Sequence, residues 1–397
     1  MKTLLRLLLC LAVSALLLVG AAGCLASPES PAAPGGNTEV LDAGSPFKHY
    51  FAQLTDKEKT AYNAILSAAT DFPNVIEIPA LTRDEMQRMY TAVLYDNPEL
   101  FFLDNASTMR QSKKRTYFYP SYRLNAEDYA AMRGRCSTVA AQILDEARQQ
   151  PSAFARERVV HDRLIAGCRY TDSKSDSYRS TIYGVLVGGA ASCEGYAKAA
   201  KYLLDQLEIP CYVVSGNSTP PGSTTSSHMW NVVQLEGAYY HLDLTWDDPV
   251  VESGGDMIRY AYFNVTDAQI RKTHTDFDAG HACTADAQNF YVHENLLFHA
   301  FGGEEKERVV RYAADTIDAG SDGFQLRFAD EETYRSALSD LIDNEGVYTL
   351  LKQINEKADT TFATDRVSYI NTDADYSIEI MIETQQGGDE NNGYAEN

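Results

Sequence analysis

The sequence predicts an α+β fold, and three observations carry that expectation. Two early segments, opening at Thr55 and Thr82, place apolar residues three and four apart behind a threonine cap, the pattern of amphipathic helices. The strand candidates 228–235 and 238–246 flank Glu236-Gly237, a hairpin signal. Residues 305–384 then alternate helical and extended patterns, in an order that suits helices on one face of a small antiparallel sheet.

The elements follow in chain order. Lys2 and Arg6 precede an apolar run at 7–19 that is short for a bilayer span and has the length of a signal-peptide core. It leads into "GAAGC", small residues ending at Cys24, which resembles the lipobox of bacterial lipoproteins with Ala21 where leucine is usual. The expectation is a signal peptide over 1–23, lipidation of Cys24, and export to the outer side of a bacterial membrane. Residues 24–46, rich in Pro, Gly and Ser, read as a flexible linker, and the acidic stretch 385–397 as a disordered tail.

Between them, 47–149 mixes helices with short strands. "KRTYFYPSY" reads as a strand broken by Pro120, and a long helix follows it. The stretch 95–104, "YDNPELFFLD", looks structural. Residues 150–283 hold the densest pattern: a helix from about Ala153, a glycine-containing turn, and a helix beginning at Cys193 with Ala197, Ala200, Leu203, Leu204 and Leu207 on one face. Strands are expected at 211–216, 228–235 and 238–246. A connecting stretch and a C-terminal α+β unit fill 284–384.

The formal charge is −22, and cleavage after residue 23 removes two basic residues and no acid. Such a surface repels nucleic acid. Of the seven cysteines, Cys10 lies in the signal peptide and Cys24 is the lipidation candidate. Cys136, Cys168, Cys193, Cys211 and Cys283 remain, an odd number that points to a free thiol. Their spacing fits no zinc pattern. All but Cys193 read as buried small apolar residues, with a disulfide among them left open.

Cys193 is set apart by its place. Gly188, Gly189, Ala190, Ala191 and Ser192 lead to it and leave room for a substrate backbone, while the helix N-terminus favours a thiolate. Its backbone N–H is a candidate donor to a developing oxyanion. A thiol nucleophile also needs a base and a group that orients the base. His228 opens a strand directly after the polar loop 217–227; His241 lies on the next strand, with Asp243 on the same face. Pairing of the two strands through Glu236-Gly237 brings His228 near Asp243 and gives a Cys193–His228–Asp243 line. The alternative, His241 with Asp243, leaves the base without a separate orienting strand.

Together "SCEGYA", "HMWN" and "HLDLTWDDP" resemble the transglutaminase-like superfamily, papain-like cysteine enzymes in which these motifs occur in this order. The resemblance covers about 150–250. It implies Cys193 as nucleophile, His228 as general base and then acid, and Asp243 as the carboxylate that holds the imidazole, acting on a peptide or protein amide through a thioester. Met229 stands where many members have alanine. The upstream tryptophan of the animal members' oxyanion hole has no counterpart, because Trp230 and Trp246 both lie downstream. Tyr183 and Ser192 are candidates for the oxyanion position, and Trp230 for a wall of the site. No cofactor and no metal are carried over. The implied activity is peptidase- or amidase-type hydrolysis ahead of amine-transferring crosslinking, with a non-catalytic envelope binding or scaffold module as the alternative. The expected partners are a protein or peptide substrate in the cell envelope and, through the lipid on Cys24, a membrane.

Overall fold

The computed structural model describes residues 47–173, 175–220, 222–248 and 258–384. The expected signal peptide, Cys24, the linker and the acidic tail lie outside them. The first helices start where their caps predict. After the single turn α1 (His49–Ala52), helices α2 (Asp56–Ala69) and α3 (Arg83–Asp96) each open on a reciprocal capping box, Thr55 with Glu58 and Thr82 with Glu85. Strand β1 (Ile76–Pro79) joins β2 (Leu103–Gln111) and β3 (Arg115–Tyr122) in an antiparallel sheet of order β1-β3-β2. β3 runs through Pro120 instead of breaking there. β1 pairs only with residues 115–118, so Pro120 sits beyond it, where its missing N–H removes no bond to β1. Helix α4 (Ala126–Arg148), capped by Asn125, completes this region.

Helix α5 (Ala153–Gly167) follows, capped by Ser152. A short parallel pair, β4 (Arg169–Tyr170) and β5 (Ala190–Ala191), brackets one π-helical turn at Gly184–Gly188. Gly189 ends that turn at φ 68°, a left-handed conformation that glycine adopts without steric cost. Helix α6 (Cys193–Gln206) begins at the predicted residue and is followed by β6 (Cys211–Ser218), β7 (Ser226–Leu235) and β8 (Ala238–Leu242). β7 and β8 pair antiparallel through Glu236 and Gly237, both at positive φ, which matches the twist of a two-residue hairpin. β8 stops at Leu242, short of the expected 246. Helix α7 (Leu244–Asp247) takes over because the Asp243 side chain accepts the N–H groups of Thr245 and Trp246.

Then come α8 (Asp267–Ile270), β9 (His274–Thr275), α9 (Phe290–His293) and β10 (Leu297–Phe298). β9 joins the edge of the second sheet, whose order is β8-β7-β6-β9. Helix α6 packs on β6 and β7. Cys211, Val233 and Leu235 share a core with Ile65, Val93, Leu144 and Leu164, so one apolar core runs through 47–149 and the region after it. The alternate residues Tyr212, Val214, Trp230 and Val232 pack instead with Val265, Ile270 and Cys283.

The last region has its own core. Helices α10 (Gly303–Asp318), α11 (Glu331–Leu338) and α12 (Gly346–Lys357) accompany β11 (Gly323–Phe328), β12 (Phe362–Thr372) and β13 (Ser377–Thr384). The sheet order is β10-β11-β13-β12, antiparallel except for β10-β11. Val309, Leu350, Phe324 and Ile380 belong to this core. Glu379 alternates with Ile378 and Ile380 and accepts from Arg259 at 2.7 Å, tying the sheet to the preceding region. Among the described residues no helix is long and apolar enough to cross a membrane.

One buried group makes this fold sensitive to pH. Glu157 on α5 is fully buried and accepts from the Asn264 amide at 2.7 Å. Burial pushes its carboxyl from the ordinary 4.5 up to about 8. The folded protein therefore keeps a proton that the unfolded chain has already lost, and stability falls as pH rises between those two values. Glu157→Gln abolishes the titration while keeping the shape. Its melting temperature, by scanning calorimetry, is expected to exceed that of wild type by a margin that widens from about pH 5 to about pH 8.

Candidate active site

Cys193 stands at the start of α6, and His228 and Asp243 meet at the open end of the β7–β8 hairpin. Ser192 takes the cap position of α6, and its N–H donates to the Arg179 carbonyl at 2.9 Å. That carbonyl lies so close to the first helical turn that a Cβ at Gly195 would overlap it. Cys193 is left half-buried at the helix start, whereas Cys136, Cys168, Cys211 and Cys283 are buried free thiols. Burial pushes Cys136 and Cys283 up to about 12 and Cys168 up to about 11, so these thiols stay protonated.

His228 lies near the start of β7, opposite Gly216 of β6. Its Nε2 is 2.7 Å from Oδ2 of Asp243, and both side chains are buried. That contact takes up Nε2, and Cys193 is among the groups that favour a proton on the ring. Burial opposes charge on the ring, yet the Asp243 carboxylate and, after it, Cys193 outweigh it and push His228 up to about 10. Burial likewise opposes charge on Asp243, and His228 with His274 overcomes it, holding the carboxyl well below the usual range. The pair is therefore ionised at neutral pH.

Sequence reasoning missed His274. Its Nε2 lies 3.0 Å from the same Oδ2 of Asp243, while Oδ1 takes the N–H groups of Thr245 and Trp246 at 3.0 and 3.3 Å. Trp230 forms the floor of this cluster. It stacks on His228 at 5.9 Å between centroids and meets His274 edge-on at 4.8 Å. His241, the alternative base, is committed elsewhere: its Nδ1 accepts from Trp230 Nε1 at 3.0 Å, and its Nε2 faces Asp267 at 2.9 Å.

The surroundings of the thiol come from several regions. Burial, then the charges of Glu194 and Cys193, push Tyr95 of α3 up to about 12, and burial followed by Cys193 raises Tyr170. Both phenols therefore stay protonated at neutral pH. Asn105 of β2 donates to Glu194 at 3.3 Å, and Glu194 pairs with Lys198 at 2.7 Å. The Tyr183 hydroxyl accepts from Arg135 of α4 at 3.3 Å, and its ring lies against Tyr178 and Phe101. Asp247 and Asp248 are anchors. Asp247 is buried 3.2 Å from His161 Nε2 of α5, and Asp248 accepts from the Tyr196 hydroxyl at 2.6 Å.

Two groups bring potential metal-ligand atoms within 4.8 Å, namely His228, Asp243 and His274, and His241, Asp267 and Cys283. In the second, the Trp230 N–H occupies Nδ1 of His241, so Nε2 carries the proton given to Asp267 and a metal there would require an imidazolate. In the first, the Asp243 oxygens are already matched by two imidazole and two backbone donors. Both groups are hydrogen-bonded clusters.

A thiol at a helix start, an imidazole on an adjoining strand and a carboxylate behind it define the class as an α+β core of the cysteine-enzyme type. Residues 137–244 match the model of the transglutaminase-like superfamily. No curated protein matches the chain. Among solved structures it is similar to a TGase, with 15% identity and a TM-score of 0.26 over 44% of this chain and 52% of that one. A candidate cysteine protease from Cytophaga hutchinsonii aligns with 10% identity and a TM-score of 0.24, over 35% and 61% of the two chains. A candidate protease from Parabacteroides distasonis aligns with 8% identity and a TM-score of 0.21, over 38% and 41%. Each alignment spans less than two thirds of the relative's own length.

Two substitutions test this geometry. At Gly216 a Cβ would stand 2.8 Å from both Phe277 Cβ and the Thr275 carbonyl, and 3.0 Å from the Trp230 ring. Gly216→Ala is therefore expected to destabilise the protein by about 1–3 kcal/mol in denaturant unfolding. Asp243→Asn removes the charge that holds the His228 proton, and the His228 titration seen by NMR should fall from about 10 toward the ordinary 6.5.

Proposed function

We propose that this is an exported bacterial lipoprotein, anchored through Cys24, whose transglutaminase-like core performs thiol-based acyl chemistry on peptide or protein amides. The observation that carries the chemistry is the 2.7 Å contact of His228 with Asp243 directly behind Cys193, the one cysteine among the described residues that is not buried. The anchor and the export route rest on Lys2, Arg6, the apolar run 7–19 and "GAAGC".

Cys193 Sγ attacks the amide carbonyl carbon as the thiolate, with His228 as imidazolium. The C=O electron pair moves onto oxygen, where N–H groups at the start of α6 are suitably placed donors. As the tetrahedral species collapses, the C–N bond breaks and the leaving nitrogen takes the His228 proton, leaving a thioester and a neutral imidazole. Water then attacks the thioester carbon and gives its proton to His228, and the acid departs as the thiolate leaves. An amine in place of water would give transfer. Hydrolysis leads because the upstream tryptophan of the crosslinking members has no counterpart in this sequence.

The test is the rate of iodoacetamide labelling of Cys193 across pH, in wild type and His228→Ala. Labelling at neutral pH is expected to exceed that of a free thiol of pKa about 8.5, and the substitution should slow it about tenfold or more. A rate equal to that of the free thiol and indifferent to His228 would sink the enzyme reading.

A further inference from the structure

Asp243 is bound by two histidines, and the triad uses one of them. His274 is fully buried on the edge strand β9, with Nε2 3.0 Å from Asp243 Oδ2. His228 Nε2 reaches that same oxygen at 2.7 Å. A carboxylate oxygen has two lone-pair directions, so the two imidazoles together fill Oδ2 while backbone N–H groups fill Oδ1. A buried histidine that merely satisfied its own polar atoms would need any nearby acceptor. This one is aimed at the atom that orients His228.

The hydrogen bonds behind His274 give the arrangement a direction. The Tyr262 hydroxyl lies 3.2 Å from Thr273 Oγ1, and Thr273 Oγ1 lies 2.9 Å from His274 Nδ1. Burial raises Tyr262 far above the ordinary phenol value, so it is a neutral donor to Thr273. The single Thr273 proton is better placed toward Nδ1 than toward the Ile270 carbonyl at 3.4 Å. With Nδ1 accepting, His274 donates through Nε2 to Asp243.

We propose that His274 is a positioning residue for the Cys193–His228–Asp243 site, fixing the plane of the shared carboxylate and sharing its negative charge with His228. The assignment rests on the acyl-chemistry reading for its purpose and on the shared oxygen for its geometry. The titratable groups that face His274 are Asp243, His228, His241 and Tyr262. A donor removed from Oδ2 leaves a more basic carboxylate, which holds the His228 proton more tightly.

The experiment follows the His228 ring by histidine-selective ¹⁵N NMR through a pH titration of the full chain. His274→Leu should move the His228 midpoint upward by about 0.5–1 pH unit, and His274→Gln, which keeps an N–H donor, should restore it. Thr273→Val keeps the packing but removes the donor to Nδ1, and should move the midpoint the same way by less; it carries the test if His274→Leu does not fold. An unmoved midpoint in the variants that fold overturns the assignment. Iodoacetamide labelling of the same samples separates the two readings. A shifted midpoint with wild-type labelling no faster than a free thiol supports His274 as a partner of Asp243 and defeats the acyl chemistry. Fast labelling with an unmoved midpoint defeats the role of His274 alone.

Discussion

A carboxylate with 1% exposure is the constraint on which the rest of the site depends. A buried charge costs several kcal/mol unless it is both paired and hydrogen-bonded. Asp243 meets that demand with four donors from three places: the first turn of α7, His228 of β7 and His274 of β9. Each donor reaches the carboxylate only when its own element is in place. The hairpin register, the cap of α7 and the docking of the edge strand are therefore settled together. The geometry that aligns an imidazole with a thiol is a by-product of satisfying one buried charge.

The same device holds the other side of the thiol. Lys201, on the helix that begins at Cys193, is fully buried and donates to the Phe47 carbonyl at 2.9 Å, to Asp205 at 2.7 Å and to the Cys211 carbonyl at 2.8 Å. Nearby, Asp96 at the end of α3 accepts the N–H groups of Tyr50 and Phe51 at 3.2 and 2.8 Å. Burial lifts Asp96 to about 6, against the pull of Lys201 and Lys48. Removing either partner of such a network strands a charge in the interior, at about 3–5 kcal/mol. Helix α6 is thus locked from behind by the N-terminal region.

What the sequence makes legible here is local. The two-residue turn at Glu236-Gly237 sets the register of β7 on β8, and that register alone brings residue 228 toward 243. The caps at Thr55 and Thr82 and the start of α6 at Cys193 are equally local signals. His274 escaped because it sits on a two-residue strand with no period to read, 31 residues from the aspartate it bonds. Tyr95 reads as core from its helical spacing, and only the folded chain brings the charges of Glu194 and Cys193 to bear on it. The strand expected through 246 ended early because the local capping bond of Asp243 won over continued pairing. The anchoring of Asp247 and Asp248 has no local signal, because their partners, His161 and Tyr196, lie on distant helices.

These placements bear on where the working unit begins and ends. The family match spans 137–244, yet His274, Tyr95 and Asn105 lie outside it. A chain cut to the matched span would leave the Asp243 oxygen without its second imidazole and Lys201 without the Phe47 carbonyl. The common apolar core, which joins Ile65 and Val93 to Leu203 and Val233, would be opened as well. The physical unit therefore extends from α1 to at least β9. Within it, the matched core holds Cys193, His228 and Asp243, while Asn105, outside it, donates to Glu194 in the first turn of α6.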